Sequence, residues 1–241
     1  IQPRCPHFGN CGGCHYQHLA YSEQVRIKEG ILRDQLQRLA GLPNPPVRPI
    51  VPAPEPWNYR NTIQFSLAED GRLGFQRAGS HAVIPISECH LPEASLNHLW
   101  PALDIGAESG ISRLELRQGA EEDALVLLEG EHTPDLNLEL PVSVVHRTPE
   151  QEFVLAGNDY LMMEVLGRPF KVSAGSFFQV NTAQAGAMVT YLQSLLPLNL
   201  NSTLLDIYCG VGLFSAFFTG SVQRCIGVEL SPSACLDYVD N

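Results

Sequence analysis

The stretch LLDIYCGVGLFS, residues 204–215, decides how this chain is read. An apolar run interrupted by Asp206 predicts a buried strand, and Gly210 and Gly212 follow it before LFSAFF restarts with helical character. A strand-to-helix turn without Cβ atoms lets the backbone approach a flat ligand, and the helix start behind it offers unpaired N–H groups. A second apolar strand, CIGVEL, ends near Glu229, seventeen residues after Gly212. A carboxylate at that place can accept hydrogen bonds from both hydroxyls of a ribose. Strand, glycine turn, helix, strand is the opening of a doubly wound α/β sheet.

A dinucleotide turn requires a third glycine three residues after Gly212, and Ser215 stands there instead. That weakens a nicotinamide reading, which stays open beside a purely structural turn. Asp-x-Tyr-x-Gly-x-Gly followed by Gly-Val-Glu fits S-adenosylmethionine better, a cofactor with an adenosine end and an amino-acid end to hold but no phosphate. Tyr208 then flanks the cofactor or else packs in the core. Cys209 lies inside the turn, but no His or Lys is near it in sequence to lower its pKa, so packing is favoured over nucleophilic attack. Cys225 and Cys235 read as core residues.

Upstream, NTAQAGAMVTYLQSLLP predicts a helix capped by Asn181 or Thr182 and ended by Pro197. Residues 59–172 have period two and predict a mostly antiparallel β domain. Ile63, Phe65 and Leu67 alternate with polar residues, Asp70-Gly71 makes a hairpin turn, and Leu73 and Phe75 continue the alternation. Further strands are expected at AVIPI, RLELR, ALVLLE and VSVVH, with a hairpin at YLMMEVLGRPFKV. SEQVRIKEGILRDQLQRLAGLP predicts an earlier helix, with Ser22 as N-cap and Val25, Leu32, Leu36 and Leu39 at helical spacing. Seven of the 18 prolines then fall within residues 43–57, an extended linker or edge segment.

The N-terminus holds CPHFGNCGGCHYQH, residues 5–18. Zinc sites are usually built from two close cysteine pairs, whereas three near thiols and one distant one suit an iron–sulfur cluster. Unliganded packing is the third option. The fourth ligand could be Cys89, Cys209, Cys225 or Cys235, and Cys89 alone sits at an exposed strand end, in IPISECHLPE. Gly12 and Gly13 could fold over a cluster and donate N–H groups to its sulfurs. His7, His15 and His18 are substitute ligands in principle, with solvated or backbone-bonded roles favoured.

Composition sets outer limits. The 241 residues are 44% apolar and 17% charged, a globular balance with room for one large or two modest domains. No apolar run approaches the roughly 20 residues of a membrane helix, and no secretory signal opens the chain. Seven cysteines do not pair off, which favours reduced thiols and a cytoplasmic setting. The net charge of −11 argues against indiscriminate nucleic-acid binding, yet residues 1–60 carry seven Lys/Arg against four Asp/Glu. Residues 61–170 carry six against eighteen. The chain starts at Ile1 and reaches Asn241 in mid-pattern, so a fragment is expected.

Taken together, CPHFGNCGGCHYQHLAYSEQVRIKEGIL, YRNTIQFS, LGFQRAGSHAVIPISECHL, SFFQVN and LLDIYCGVGLFS with IGVE resemble, in this order, the RNA uracil-5 methyltransferase family. The resemblance implies an α/β plus α+β architecture. An antiparallel β-rich central domain with an iron–sulfur site precedes the first part of a Rossmann-like S-adenosylmethionine methyltransferase domain. It implies a cysteine-rich segment at 1–18, a helix and linker at 19–48 that could pack on the catalytic domain, a central β domain at 49–170 and a partial methyltransferase domain at 171–241. Cys5, Cys11, Cys14 and Cys89 match the four ligands of a 4Fe–4S cluster. Gln179, Tyr208 and Glu229 match contacts to S-adenosylmethionine, held over Gly210 and Gly212, while Leu213 replaces a polar residue of many relatives.

In the family a cysteine thiolate adds to C6 of uracil, C5 attacks the methyl group, and a base removes the C5 proton. That cysteine and base are expected beyond Asn241, so no catalytic residue is assigned and these 241 residues alone are expected to be inactive. The implied partner is tRNA or rRNA, with no membrane and a monomer at full length. An RNA-binding domain of the family, the TRAM barrel, is also not seen. The alternatives are an iron–sulfur RNA-binding or redox protein without methyltransferase activity and a zinc-stabilised binding module.

Overall fold

A computed structural model describes residues 1–134 and 141–241. Helix α1 (Tyr21–Arg38) follows a series of turns that carry the first three cysteines. Its N-cap is Ala20 without a side-chain bond, so Ser22 lies inside the helix and does not cap it. Glu23–Arg26, Glu29–Arg33 and Asp34–Arg38 pairs run along its surface. Such exposed pairs are screened by solvent and add little to helix stability. No residue of α1 is buried. The proline-rich stretch reaches the C-terminal part: Arg48 Nη1 donates to Tyr191 Oη at 2.8 Å, and Gln184 Nε2 donates to the Val51 carbonyl at 3.3 Å.

The central sheet is built from β1 (Thr62–Leu67), β2 (Leu73–Gln76), β3 (Val83–Pro85), β4 (Ile111–Gln118), β5 (Ala124–Gly130), β6 (Ser143–Arg147) and β7 (Glu152–Ala156). Its order is β3-β2-β1-β4-β5-β6-β7. All neighbours are antiparallel except β5 and β6, which run parallel, so the sheet is mixed. The period-two pattern sends Ile63, Phe65, Leu114, Leu116, Val126 and Leu128 to one face. There they pack against Leu96 of α2 (Ala94–Leu99) and against Trp100. Register follows the same logic, with Phe65 opposite Leu114 and Leu116 opposite Val126. Leu125, Leu127 and Val145 point to the other face, so the Leu125–Leu128 run is buried on both sides.

That second face meets a separate hairpin, β8 (Tyr160–Val165) and β9 (Arg168–Ser173). Leu161 and Ala174 pack on the sheet, while Met163, Val165, Phe170 and Val172 turn toward α3 (Thr182–Leu195) and α4 (Leu213–Phe218). A division at 170/171 therefore cuts through β9, and the hairpin is shared between two cores. Asn181 caps α3, its side chain accepting from Gln184 N at 3.0 Å. Strands β10 (Thr203–Ile207) and β11 (Arg224–Val228) pair parallel, and α5 (Pro232–Asp240) follows with Ser231 as its cap. Among the described residues, no helix is long and apolar enough to cross a membrane.

α5 is pinned to β9 by Asp237, which is fully buried and accepts from Ser173 N at 2.9 Å and Ser173 Oγ at 2.7 Å. Removing a buried acceptor strands its donors, at a cost of about 1–3 kcal/mol. Asp237→Ala should lower the urea midpoint by a corresponding amount with an unchanged m value. An unshifted midpoint would show that α5 docks without this carboxylate.

Candidate functional site

The glycine turn crosses the end of β11. Tyr208 N and Cys209 N both donate to the Val228 carbonyl, at 2.8 and 3.2 Å. Tyr208 adopts φ +64°, and its side chain is 88% exposed, so it projects from the turn and is not a core residue. The Glu229 carboxylate organises the loop opposite. Its Oε2 accepts from Gly210 N at 2.8 Å, and its Oε1 accepts from Leu230 N at 2.7 Å and Ser231 N at 2.9 Å. Those three N–H donors, Ser231 foremost, hold the Glu229 carboxyl below the usual carboxylate range.

Two glycines are explained by one ring. At Gly212, φ is +89° and a Cβ would stand 2.9 Å from Tyr238 Cδ2. At Gly227 a Cβ would lie 2.6 Å from Tyr238 Cζ and 2.8 Å from Cys209 Sγ. Ser215, where a dinucleotide turn would have glycine, donates to Asp206 Oδ2 at 2.6 Å. Cys209 is buried, and burial together with the Asp206 and Glu229 carboxylates pushes its thiol up to about 11. It is protonated at neutral pH and poorly suited to attack.

Gln179 lies in the half-buried loop before α3, and its carbonyl accepts from Asn61 Nδ2 at 2.9 Å. Its neighbour Phe178 shares a core with Val211 and Leu213, which fixes this loop relative to the glycine turn. Leu213 is itself buried there and presents no side chain to a ligand. Among the described hydrogen bonds, none joins the Gln179 side chain to the turn.

Beside β1 and β2 of the large sheet, Cys5, Cys11, Cys14 and Cys89 line one cavity. Gly13 N donates to Cys11 Sγ at 3.3 Å. Burial raises the thiols of Cys5 and Cys11, and raises Cys89 to about 11, with the other thiols adding to the effect at Cys89. Arg60 and His90 line the same cavity, and Arg60 Nε and His90 Nε2 are buried with no hydrogen-bond partner. Arg60 Nε is thus a donor without a partner amid four thiols, while His90 Nε2 lies 3.8 Å from Glu88 Oε2, a lining that fits an anionic group whose sulfurs accept hydrogen bonds. Among the described residues, no three His, Cys, Asp or Glu form a group that could hold a metal ion.

Three comparisons bear on these sites. The family model described as tRNA (uracil-5-)-methyltransferase matches residues 128–238. An uncharacterised RNA methyltransferase of Thermosynechococcus vestitus is 31% identical over the whole of this chain and 62% of its own length. One of Chlorobaculum tepidum is 27% identical, over 98% of this chain and 60% of its own. The chain belongs to the RNA uracil-5 methyltransferase family. It spans about three fifths of the length of these relatives. In fold it is similar to the Pyrococcus abyssi tRNA (uracil-54, C5)-methyltransferase, solved in complex with S-adenosyl-L-homocysteine. The TM-score is 0.70 and the identity 22%, over 98% of this chain and 62% of that one.

Within this family member, the residues that sequence reasoning missed are second partners. Arg60 and Asn61 had a signal, a charged and an amide residue opening an apolar strand in YRNTIQFS. Tyr238 and His90 had none, because each acts through residues distant in sequence.

The depressed Glu229 value has a testable sign. A carboxyl held below its unfolded value, about 4.3, stabilises the fold fully above that pH, and the contribution is lost as pH falls through the folded value. The stability difference between the native protein and Glu229→Gln should therefore be largest near neutrality and shrink below about pH 4.5. Parallel stability curves from pH 7 to pH 3 would refute the role assigned to its three N–H bonds.

Proposed function

We propose that the protein transfers the methyl group of S-adenosylmethionine to C5 of a uridine in tRNA or rRNA, acting as a monomer in the cytoplasm. The observation that carries this reading is the ionised Glu229 at the end of β11, set across the two-glycine turn from the projecting Tyr208. Glu229 would accept from the ribose hydroxyls, Tyr208 would flank the adenosine, and Gly210 and Gly212 would leave room for it. Gln179 would contact the cofactor from the loop fixed by Phe178. The complex of the Pyrococcus abyssi enzyme with S-adenosyl-L-homocysteine supports this choice of cofactor.

Uracil C5 is a poor nucleophile, and the reading requires a thiolate to add at C6 and a base to take the C5 proton. None of the seven cysteines is set up for that role. Four line one cavity, Cys209 is buried, Cys225 Sγ lies 3.7 Å from Tyr238 Oη, and Cys235 Sγ is 3.6 Å from the Glu229 carbonyl. These 241 residues should bind the cofactor without forming 5-methyluridine, and the thiol and base would be supplied from outside them.

Cys5, Cys11, Cys14 and Cys89 would hold a 4Fe–4S cluster, with Arg60 and His90 donating to its sulfurs. Four thiolates on one zinc would stand roughly 3.8 Å from each other, given Zn–S bonds of about 2.3 Å. Methyl transfer needs no electron, so the cluster's contribution is to tie residues 1–18 to the central domain at 49–170.

Incubating the full-length protein with unmodified tRNA and rRNA transcripts and methyl-labelled S-adenosylmethionine should yield 5-methyluridine on nucleoside analysis. Label on any other position, or none, overturns the proposal. Glu229→Ala should weaken S-adenosylmethionine binding by at least about tenfold, the loss of a charge-assisted pair of hydrogen bonds. Anaerobically purified protein should carry about four iron and four sulfide per chain, lost in Cys89→Ser. Stoichiometric zinc without sulfide would favour the binding module instead.

A further inference from the structure

Two grooves meet at the cysteine-rich segment. The first, of about 520 Å³, runs between α1, the proline-rich stretch and the start of α3, and is lined by Tyr16, Tyr21, Trp57, Tyr59 and Lys28. The second lies along the β1–β2 surface and the β2–β3 turn, lined by Gln64, Arg77, His81 and Arg113. Gly13 and His15 line both, so the two adjoin there.

Their charge is unlike that of the molecule. The chain has 26 Asp and Glu and a net charge of −11, yet among the described residues no Asp or Glu lines either groove. Among the described residues, Lys28 and Arg77 form no ion pair, and both are exposed. Arg113 shares only a 3.4 Å contact with Glu129. Cations are also already arranged over ring faces: Lys28 Nζ lies 5.9 Å from the Tyr16 centroid, and the Arg4 guanidinium lies 5.6 Å from that of Trp57. Tyr21 is committed to the wall, its hydroxyl accepting from Ala53 N at 2.7 Å. Tyr16 and Trp57 are half-buried, with part of each ring open to the groove.

Half-exposed rings beside unpaired cations, without carboxylates, are the chemistry that holds single-stranded nucleic acid. Bases stack on the rings whatever their identity, and phosphates meet the cations. An acidic protein segment would satisfy the cations but leave the rings without flat partners. Paired RNA keeps its bases stacked on one another and away from both rings. We propose that these adjoining grooves bind a single-stranded stretch of the RNA, with bases stacked on Tyr16 and Trp57 and phosphates against Lys28, Arg77 and Arg113. The inference deepens the proposed function and rests on it only for RNA as the substrate class.

The test is fluorescence anisotropy with a labelled 12-nucleotide single-stranded RNA, a fully paired duplex of the same length, and heparin as a ring-free polyanion. Affinity for S-adenosylmethionine is measured on every variant. Tyr16→Ala should weaken single-strand binding by about tenfold, and Tyr16→Phe should restore it. Lys28→Gln combined with Arg77→Gln should reduce the slope of log affinity against log salt by about 1.4, two phosphates at roughly 0.7 each. S-adenosylmethionine affinity should stay unchanged throughout. Unchanged RNA affinity and salt slope in these variants overturn the groove, as does tighter binding of the duplex or of heparin than of the single strand. Failure of the native protein to bind S-adenosylmethionine would count against the methyltransferase reading and leave the groove result standing.

Discussion

Residues 58–61 enter the sheet with other chain segments bonded on both sides, and the placement of both sites depends on those bonds. On one flank, Asn58 N donates to the His90 carbonyl, Arg60 N to the Leu91 carbonyl, and Glu93 N to the Arg60 carbonyl, each at 2.9 Å. On the other, Asn61 N donates to the Val180 carbonyl at 2.9 Å, and Asn61 Nδ2 to the Gln179 carbonyl at 2.9 Å and Thr182 Oγ1 at 3.0 Å. Gln118 N closes the third side on the Asn61 carbonyl at 2.8 Å. Asn61 is buried at 2% exposure, so no water can replace these partners, and a buried amide without them would cost more than any one of the bonds contributes. The segment thus sets the residues after Cys89 and the loop before α3 at fixed distances from one strand.

The hairpin β8–β9 performs the matching task for the cores. Leu161 faces Leu125, Leu127 and Val145 of the sheet, and Met163, Val165, Phe170 and Val172 face α3 and α4. Period-two alternation cannot by itself supply two cores, but a hairpin that leaves the large sheet and twists across its face can. The parallel pair β10–β11 then hangs on this layer through Asp237 and Tyr238 of α5. The Tyr238 ring fills the space that Gly212 and Gly227 leave open, so the glycine turn and the strand before Glu229 are shaped by a residue that follows both. The outer face of the pair shows Leu205, Ile207 and Val228 at half exposure, an unusual state for parallel strands.

Local pattern predicted most elements because local physics made them. The hairpin at Asp70-Gly71, the strand–glycine–helix unit and the Asn181 cap all rest on residues within a few positions of each other. Strand β7 escaped notice because Phe153, Val154 and Leu155 form an edge with every residue exposed, leaving no alternation to detect. The parallel β5–β6 pairing was not legible either, since strand composition says nothing of direction when both faces are buried. Ser22 offers good capping chemistry two residues too late, and α1 starts instead where Gln24 N donates to the Ala20 carbonyl and Gln24 Nε2 to the Leu19 carbonyl, each at 3.0 Å. The four cysteines were named from resemblance, whereas the unpaired donors Arg60 and His90 beside them follow only from the fold.

Those donors bear on why the cysteine cavity and the carboxylate-free grooves adjoin. Gly13, Cys14 and Gln17 line both the cysteine cavity and the aromatic groove, so residues 13–17 form a wall one chain thick between them. Gln17 is buried, and its Oε1 accepts from Cys5 N at 3.1 Å, which draws the start of the segment against its end. A wall this thin has no hydrophobic core of its own, and its shape must come from what it encloses. Arg60 Nε is buried beside that wall without a hydrogen-bond partner, and Glu88 lines the same cavity. An anionic occupant ligated by the thiols would give this donor a partner and fix the wall from within. The position of Tyr16 at the groove would then follow from what the cavity holds.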